Sequence, residues 1–148
     1  MGLFGQAEVT AALALAVVVA RRYSRRTDWW TPLLIVVTVA IEALLKLTIV
    51  HPPPPSDAVR TVALLPFVHV PFPNSFPSGH VARTAFLLRI ANGIPGWAVA
   101  LGIVLMAATR VYLGEHWLSD TIGGAALGLG VAALARKVAS RPSGRLRS

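Results

Sequence analysis

The chain has 148 residues, of which 55% are hydrophobic and only 14% carry a charged side chain, so its composition indicates a single-domain membrane protein rather than a soluble globule. It contains no cysteine, which excludes a disulfide framework and a cysteine-ligated metal site. The formal net charge of +8 is compatible with a nucleic-acid partner, but the placement of the basic residues is explained by membrane topology instead.

Five stretches of the chain are predicted to span a membrane, since a spanning helix needs about 20 mostly apolar residues. The predicted spans are 3–20, 31–50, 78–92, 96–113 and 116–138. No Arg or Lys precedes Arg21, so the first stretch lacks the positive region of a cleaved signal peptide, and we predict that it is a retained helix. The sequence therefore predicts an all-α integral membrane protein with about five transmembrane helices in a bundle, formed by residues 1–138 as one domain.

Residues 51–77 interrupt the apolar pattern between the second and third predicted helices. They contain HPPPP and VPFPNSFP, and proline at this density excludes a continuous helix. The third helix is predicted to open at Ser78, which is a favourable N-cap residue, and to stop at the sequence NGIPG. Because this helix is short for a span, we expect its start to lie below the membrane surface.

Basic residues gather on one side of the five-span arrangement, between the first two spans and after the fifth. They are Arg21, Arg22, Arg25, Arg26, Arg136, Lys137, Arg141, Arg145 and Arg147. Since loops rich in Lys and Arg stay in the cytoplasm, we predict a multi-pass protein of the cell membrane with its N-terminus outside. Residues 139–148 are then a basic cytoplasmic tail, and the 51–77 loop lies on the extracytoplasmic side.

Ionisable residues meet at that extracytoplasmic end, where charge near membrane depth is costly and therefore points to function. Lys46, Arg83 and Arg110 are cations without enough acids nearby in the sequence, a set that suits a phosphate group. Ser78, Gly79 and His80 open a helix, where free backbone N–H groups and the helix dipole favour an anion.

Two histidines and one aspartate supply the reactive groups for phosphate chemistry. His80 and His116 can serve as acid and nucleophile near neutral pH. Asp120 follows His116 by four residues on the same helical face, where a carboxylate orients an imidazole. No Asp, Glu and His cluster in the sequence resembles a metal cage, so we predict no metal and no cofactor.

These residues resemble the motifs of the type 2 phosphatidic acid phosphatase superfamily. Phe76–His80 resembles its Pro-Ser-Gly-His motif. Thr109 and Arg110, followed at the same spacing by His116 and Asp120, resemble its Ser-Arg-x5-His-x3-Asp motif. The order of the two motifs and their separation also fit, and the resemblance covers roughly Lys46 to Asp120.

The resemblance implies a role for each matched residue. His116 attacks phosphorus and forms a phosphohistidine, Asp120 orients His116, and His80 protonates the leaving oxygen. The residues implied to hold the phosphoryl oxygens are Ser78, Gly79, Arg110 and Lys46, the last of which matches the lysine of the family's Lys-x6-Arg-Pro motif.

The chain departs from that lysine motif. Pro53 and Pro54 stand where the family has Arg-Pro, and His51 with Pro52 replaces a frequent upstream Arg-Pro, so one phosphate-binding arginine is missing. Arg83, three residues after His80, is a candidate replacement ligand, and its alternative is an arginine that snorkels to lipid headgroups. His51 is a further candidate as a weaker, pH-dependent donor to phosphate.

Two acidic residues close to these cations remain to be explained. Glu42 is spaced i,i+4 from Lys46, so we predict that it pairs with this lysine and takes no part in catalysis. Glu115 directly precedes His116 and is a candidate for tuning the electrostatics of the site's mouth.

A lipid phosphate is the partner that this site implies, at headgroup depth in the bilayer. The resemblance implies a metal-independent lipid phosphatase, and analogy with small bacterial members favours a polyprenyl phosphate or diphosphate. Phosphatidate and phosphatidylglycerol phosphate are the other substrates considered, and the sequence leaves the oligomeric state open. Because of the missing arginine, a catalytically impaired protein that binds a lipid phosphate is the alternative.

Overall fold

A computed structural model of the protein describes residues 7–24, 28–60, 72–91 and 93–140. These residues form five α-helices and no strand, which confirms the all-helical prediction for this part of the chain. The helices are α1 (Ala7–Tyr23), α2 (Ile35–Thr48), α3 (Gly79–Ile90), α4 (Gly96–Tyr112) and α5 (Leu118–Ala139). The start of the first predicted span, part of the 51–77 loop and most of the predicted tail fall outside the described residues.

Proline and glycine set the helix boundaries near the site. α3 begins after Ser78, whose backbone is extended and whose carbonyl accepts the Ala82 N–H at 3.0 Å. α4 begins after Pro95, which has no N–H to leave unsatisfied at a helix start. Gly114, with φ of 69°, turns the chain after α4 in a left-handed conformation that favours glycine. Local sequence signals therefore determine where α3 begins and where the chain turns between α4 and α5.

α3 and α5 pack backbone against backbone. A Cβ atom on Gly124 would lie 2.4 Å from the Ser78 carbonyl oxygen, and one on Gly128 would lie 2.1 Å from the Ala82 carbonyl oxygen. Small residues let two helices approach this closely. Such a glycine-rich stretch, here residues 123–130, suits close packing either within a chain or between two chains, and at these two glycines the contact is within the chain.

Arg21 holds the C-terminal end of α3 in place. This side chain is buried, and its guanidinium donates to the Ile90 carbonyl, to Thr31 Oγ1 and to the Asp28 carboxylate, the last at 3.2 Å. Arg21 was interpreted only as a topology signal, yet it also joins α1 to the end of α3.

The outward faces of α2, α4 and α5 are apolar. On these helices the large hydrophobic and aromatic side chains with half or more of their surface exposed are Val36, Leu44, Leu47, Trp97, Leu101, Val104, Leu105, Tyr112, Leu118, Ile122 and Leu134. Thr31–Thr48 and Leu118–Ala139 are long and apolar enough to cross a membrane, and Gly96–Tyr112 is apolar but shorter. α3 has only 12 residues, in line with the short third helix that the sequence predicts.

Candidate functional site

The predicted site residues meet where the start of α3 faces the end of α2 and the turn between α4 and α5. The Ser78 N–H donates to the Asp120 carbonyl oxygen at 2.9 Å, which joins the start of α3 to the first turn of α5. The charged or titratable groups that act electrostatically on His80 are Arg110, Arg83, His116 and Lys46. The fold thus gathers residues that lie far apart in the sequence around one imidazole.

His116 and Asp120 form an oriented imidazole–carboxylate pair. His116 Nδ1 lies 3.2 Å from Asp120 Oδ2, and the Asp120 side chain is fully buried. The same Oδ2 accepts the backbone N–H of Trp117 at 2.9 Å. Because a carboxylate faces Nδ1, this nitrogen carries the proton and the lone pair of the neutral ring is on Nε2.

His116 lies in the turn before the first residue of α5, and its contact with Asp120 is set by that turn. The neutral imidazole, with a lone pair on Nε2, is the form that can act as a nucleophile.

Glu42 binds two of the predicted phosphate ligands at once. Its Oε1 lies 3.3 Å from Lys46 Nζ, and its Oε2 accepts Arg83 Nη1 at 2.7 Å. The first contact confirms the predicted Glu42–Lys46 pair. The second is new, and it shows that Arg83 is buried and ion-paired rather than snorkelling to the protein surface.

The Glu42 carboxylate also rests against Gly79. A Cβ atom on Gly79 would lie 2.0 Å from Glu42 Oε1, so any side chain at this position would displace the carboxylate. The sequence analysis placed Gly79 in an anion site at the helix start, and in the structure the anionic group against Gly79 is the Glu42 carboxylate. Sequence reasoning kept Glu42 away from the site, although an acid one turn before Lys46 in an apolar helix was a usable signal.

Arg110 has a carboxylate partner of its own. The Arg110 side chain is 2% exposed, and its Nη1 donates to Glu115 Oε2 at 2.5 Å. Glu115 therefore lies at the site beside His116. Each of the three cations thus has a carboxylate neighbour, but two carboxylates face three cations, so positive charge remains in excess among these five side chains.

Ser78 contributes a buried hydroxyl. It occupies the N-cap position of α3, as predicted, but its side chain makes no capping hydrogen bond. The residue is fully buried, and Ser78 Oγ has no hydrogen-bond partner within the described part of the chain. A buried hydroxyl without a partner is costly, so this one is suited to a ligand.

His51 lies beside Asp120. Its Nε2 is 3.1 Å from Asp120 Oδ1 and 3.3 Å from Ser119 Oγ. The sequence offered His51 as a donor to phosphate, whereas the structure places its ring at the carboxylate behind His116. Within the described residues, no group of three or more His, Cys, Asp and Glu side chains is arranged to hold a metal ion.

Comparisons with known proteins agree with the two motifs. The model of the PAP2 superfamily matches residues 27–142, which is most of the chain. An undecaprenyl-diphosphatase of Sulfolobus acidocaldarius is 39% identical over 72 residues, which cover 45% of this chain and 34% of that protein. The match thus spans about a third of the relative's length, and no solved structure matches the chain. With its two motifs assembled at one place, the chain belongs to the PAP2 superfamily of type 2 phosphatidic acid phosphatases.

Proposed function

We propose that this PAP2 protein is a metal-independent lipid phosphatase that works through a phosphohistidine on His116. The observation that carries the proposal is the His116–Asp120 pair, with Nδ1 of the imidazole 3.2 Å from a fully buried carboxylate. This contact leaves the lone pair of His116 on Nε2, which can attack phosphorus. Arg110, Arg83 and Lys46, which act electrostatically on His80, supply the attraction for a phosphate group.

The proposed reaction has two balanced steps. In the first, His116 Nε2 forms a bond to phosphorus while the bond from phosphorus to the leaving oxygen breaks, and His80 gives that oxygen a proton. In the second, water attacks phosphorus and gives its proton to His80, and the phosphorus–nitrogen bond breaks to release inorganic phosphate. Asp120 stabilises the positive charge that His116 acquires during each step.

Phosphate binding is assigned to the start of α3 and to the cations around it. Ser78 Oγ, the Gly79 backbone and Arg110 are proposed to contact the phosphoryl oxygens, together with Lys46 and Arg83. Support comes from the buried Ser78 hydroxyl and from the Glu42 carboxylate, which already places an anionic group between Lys46 and Arg83. A bound phosphate would share these cations with the two carboxylates.

A bilayer location is proposed from the surface of the molecule. The exposed apolar faces of α2, α4 and α5 would be unfavourable in water and favourable in lipid. Two helical stretches have the length and apolarity of membrane spans. With the basic residues in the cytoplasm, the five-span arrangement puts the N-terminus outside and the site at the extracytoplasmic end.

A polyprenyl diphosphate or phosphate is the proposed substrate, since the matched relative is an undecaprenyl-diphosphatase. Phosphatidate and phosphatidylglycerol phosphate are the competing substrates. The test is phosphate release by the detergent-purified protein in excess EDTA, with all of these lipids offered in parallel. We expect EDTA-resistant release that is fastest with undecaprenyl diphosphate. Binding of these lipids without any release would instead favour the catalytically impaired protein, a possibility that rests on Pro53 and Pro54 in place of Arg-Pro.

Glu42→Gln is expected to strengthen inhibition by inorganic phosphate about tenfold, because it removes one negative charge beside Lys46 and Arg83. The measurement is the inhibition constant for phosphate in the release assay. Asp57→Asn is the matched control, since it removes one negative charge from an exposed turn. An inhibition constant that is unchanged or higher in Glu42→Gln would show that the carboxylate does not compete with phosphate.

A further inference from the structure

We propose that His51 is a positioning residue that holds Asp120 from the side opposite His116, and that it is not a phosphate ligand. The inference rests on the proposed function, because it assigns His51 a task in orienting the nucleophile of that reaction. The observation behind it is that one buried carboxylate lies between two imidazole rings.

The two oxygens of Asp120 have separate partners. Oδ2 faces His116 Nδ1 and accepts the Trp117 N–H, whereas Oδ1 lies 3.1 Å from His51 Nε2. Within the described residues Oδ1 makes no formed hydrogen bond, and His51 Nε2 approaches it at ion-pair distance. A fully buried carboxylate needs compensation on both oxygens, and the His51 ring is close enough to Oδ1 to supply it.

His51 is itself held in place by the surrounding chain. Its backbone N–H donates to Asn74 Oδ1 and its carbonyl accepts the Ser75 N–H, each at 2.8 Å. The next carbonyl, of Pro52, accepts Trp117 Nε1 at 3.0 Å. The His51 ring meets the Phe76 ring edge-on, with 6.1 Å between centroids. These contacts tie the loop to the stretch before α3 and to the turn after His116, which is the support that a positioning residue requires.

This placement has a chemical consequence at His116. A nitrogen that faces a carboxylate favourably carries a proton, so His51 Nε2 is a donor whether the ring is neutral or charged. A donor at Oδ1 fixes the rotation of the carboxylate and keeps Oδ2 directed at His116 Nδ1. Loss of this donor would disturb the orientation of the His116 ring and so lower kcat. The phosphate-binding groups would stay in place, so KM would change little.

The test compares His51→Met with His51→Gln in the full chain, using undecaprenyl diphosphate in detergent micelles and inorganic phosphate as inhibitor. We expect His51→Met to lower kcat about tenfold to a hundredfold, the effect of one hydrogen bond to a charged group. KM and the inhibition constant for phosphate should stay close to the wild-type values. His51→Gln should recover most of kcat, because its amide nitrogen occupies nearly the position of Nε2.

Ser119→Ala is the matched control, since it removes the other polar neighbour of His51 Nε2 and leaves Asp120 intact. If His51→Met loses its thermal unfolding transition, His51→Asn replaces it, because the asparagine amide is too short to reach Oδ1. A kcat equal to wild type, or a rise in KM and in the inhibition constant at constant kcat, would overturn the inference while the proposed function stands. A folded wild-type protein that hydrolyses none of the lipid phosphates would overturn the proposed function and this inference with it.

Discussion

Replacement of His116 by alanine is expected to lower turnover of the preferred lipid phosphate by at least about a thousandfold, as loss of a catalytic nucleophile does in other enzymes. The variant lacks the nitrogen that attacks phosphorus, and it leaves the buried Asp120 carboxylate without its imidazole partner at Oδ2. The measurement is kcat from phosphate release in EDTA. Thermal unfolding of the variant serves as the folding control.

Trapping of the covalent intermediate gives this prediction a second readout. Rapid acid-free denaturation during turnover of a radiolabelled substrate should leave acid-labile phosphate on the wild-type chain and none on His116→Ala. Asp120→Asn should retain the label but acquire it slowly, because its nucleophile is present and poorly oriented. Label that persists in His116→Ala would identify a different nucleophile and refute the mechanism.

Gly128→Ala is expected to destabilise the protein by about 3 kcal/mol, the upper range for overpacking a tight contact. The new Cβ would lie 2.1 Å from the Ala82 carbonyl oxygen and 2.9 Å from Ala85 Cβ, so α3 has to move away from α5. The Ala82 carbonyl is part of the helix backbone and cannot move aside as the end of a flexible side chain can. The measurement is thermal unfolding in detergent, followed by circular dichroism.

Gly130→Ala provides the control for this change on the same helix. A Cβ at Gly130 meets no atom within 4 Å, and alanine is the better helix former by up to about 1 kcal/mol. We therefore expect Gly130→Ala to be neutral or stabilising. Equal effects of the two substitutions would mean that α3 and α5 are not in direct backbone contact.

The helices were largely predictable, because apolar runs and the Pro and Gly residues between them are local signals. The predicted spans 78–92, 96–113 and 116–138 begin and end within two residues of α3, α4 and α5, the usual uncertainty of such boundaries. The predicted span 31–50 begins four residues before α2, at a 3-10 helix (Thr31–Leu34) that leads directly into it. The first helix runs on to Tyr23, past its predicted end at residue 20. Arg21, within this extension, binds the carbonyl of Ile90 at the end of α3, a contact with a residue far along the chain that no local pattern indicates.

Helical spacing predicted only part of the site, namely the contact between Glu42 and Lys46 on α2. His116 and Asp120 do meet as predicted, but His116 lies in the turn before α5 and not on the same helical face as Asp120. The link from Glu42 to Arg83 and the contact of His51 with Asp120 join distant parts of the chain through a loop without periodicity. Spacing cannot report such contacts, because they depend on how α2, α3 and the loop between them pack.

The short α3 sets a depth for the proposed chemistry. Twelve helical residues rise about 18 Å, whereas the hydrocarbon core of a bilayer is about 30 Å thick. Arg21 binds the C-terminal end of α3, and in the proposed topology this end would lie near the cytoplasmic face and the opposite, catalytic end inside the other leaflet. A lipid would then have to lower its headgroup into the bilayer to react, and the two products would leave by different routes. Inorganic phosphate would move outward to the aqueous phase, while the dephosphorylated lipid would diffuse laterally into the bilayer.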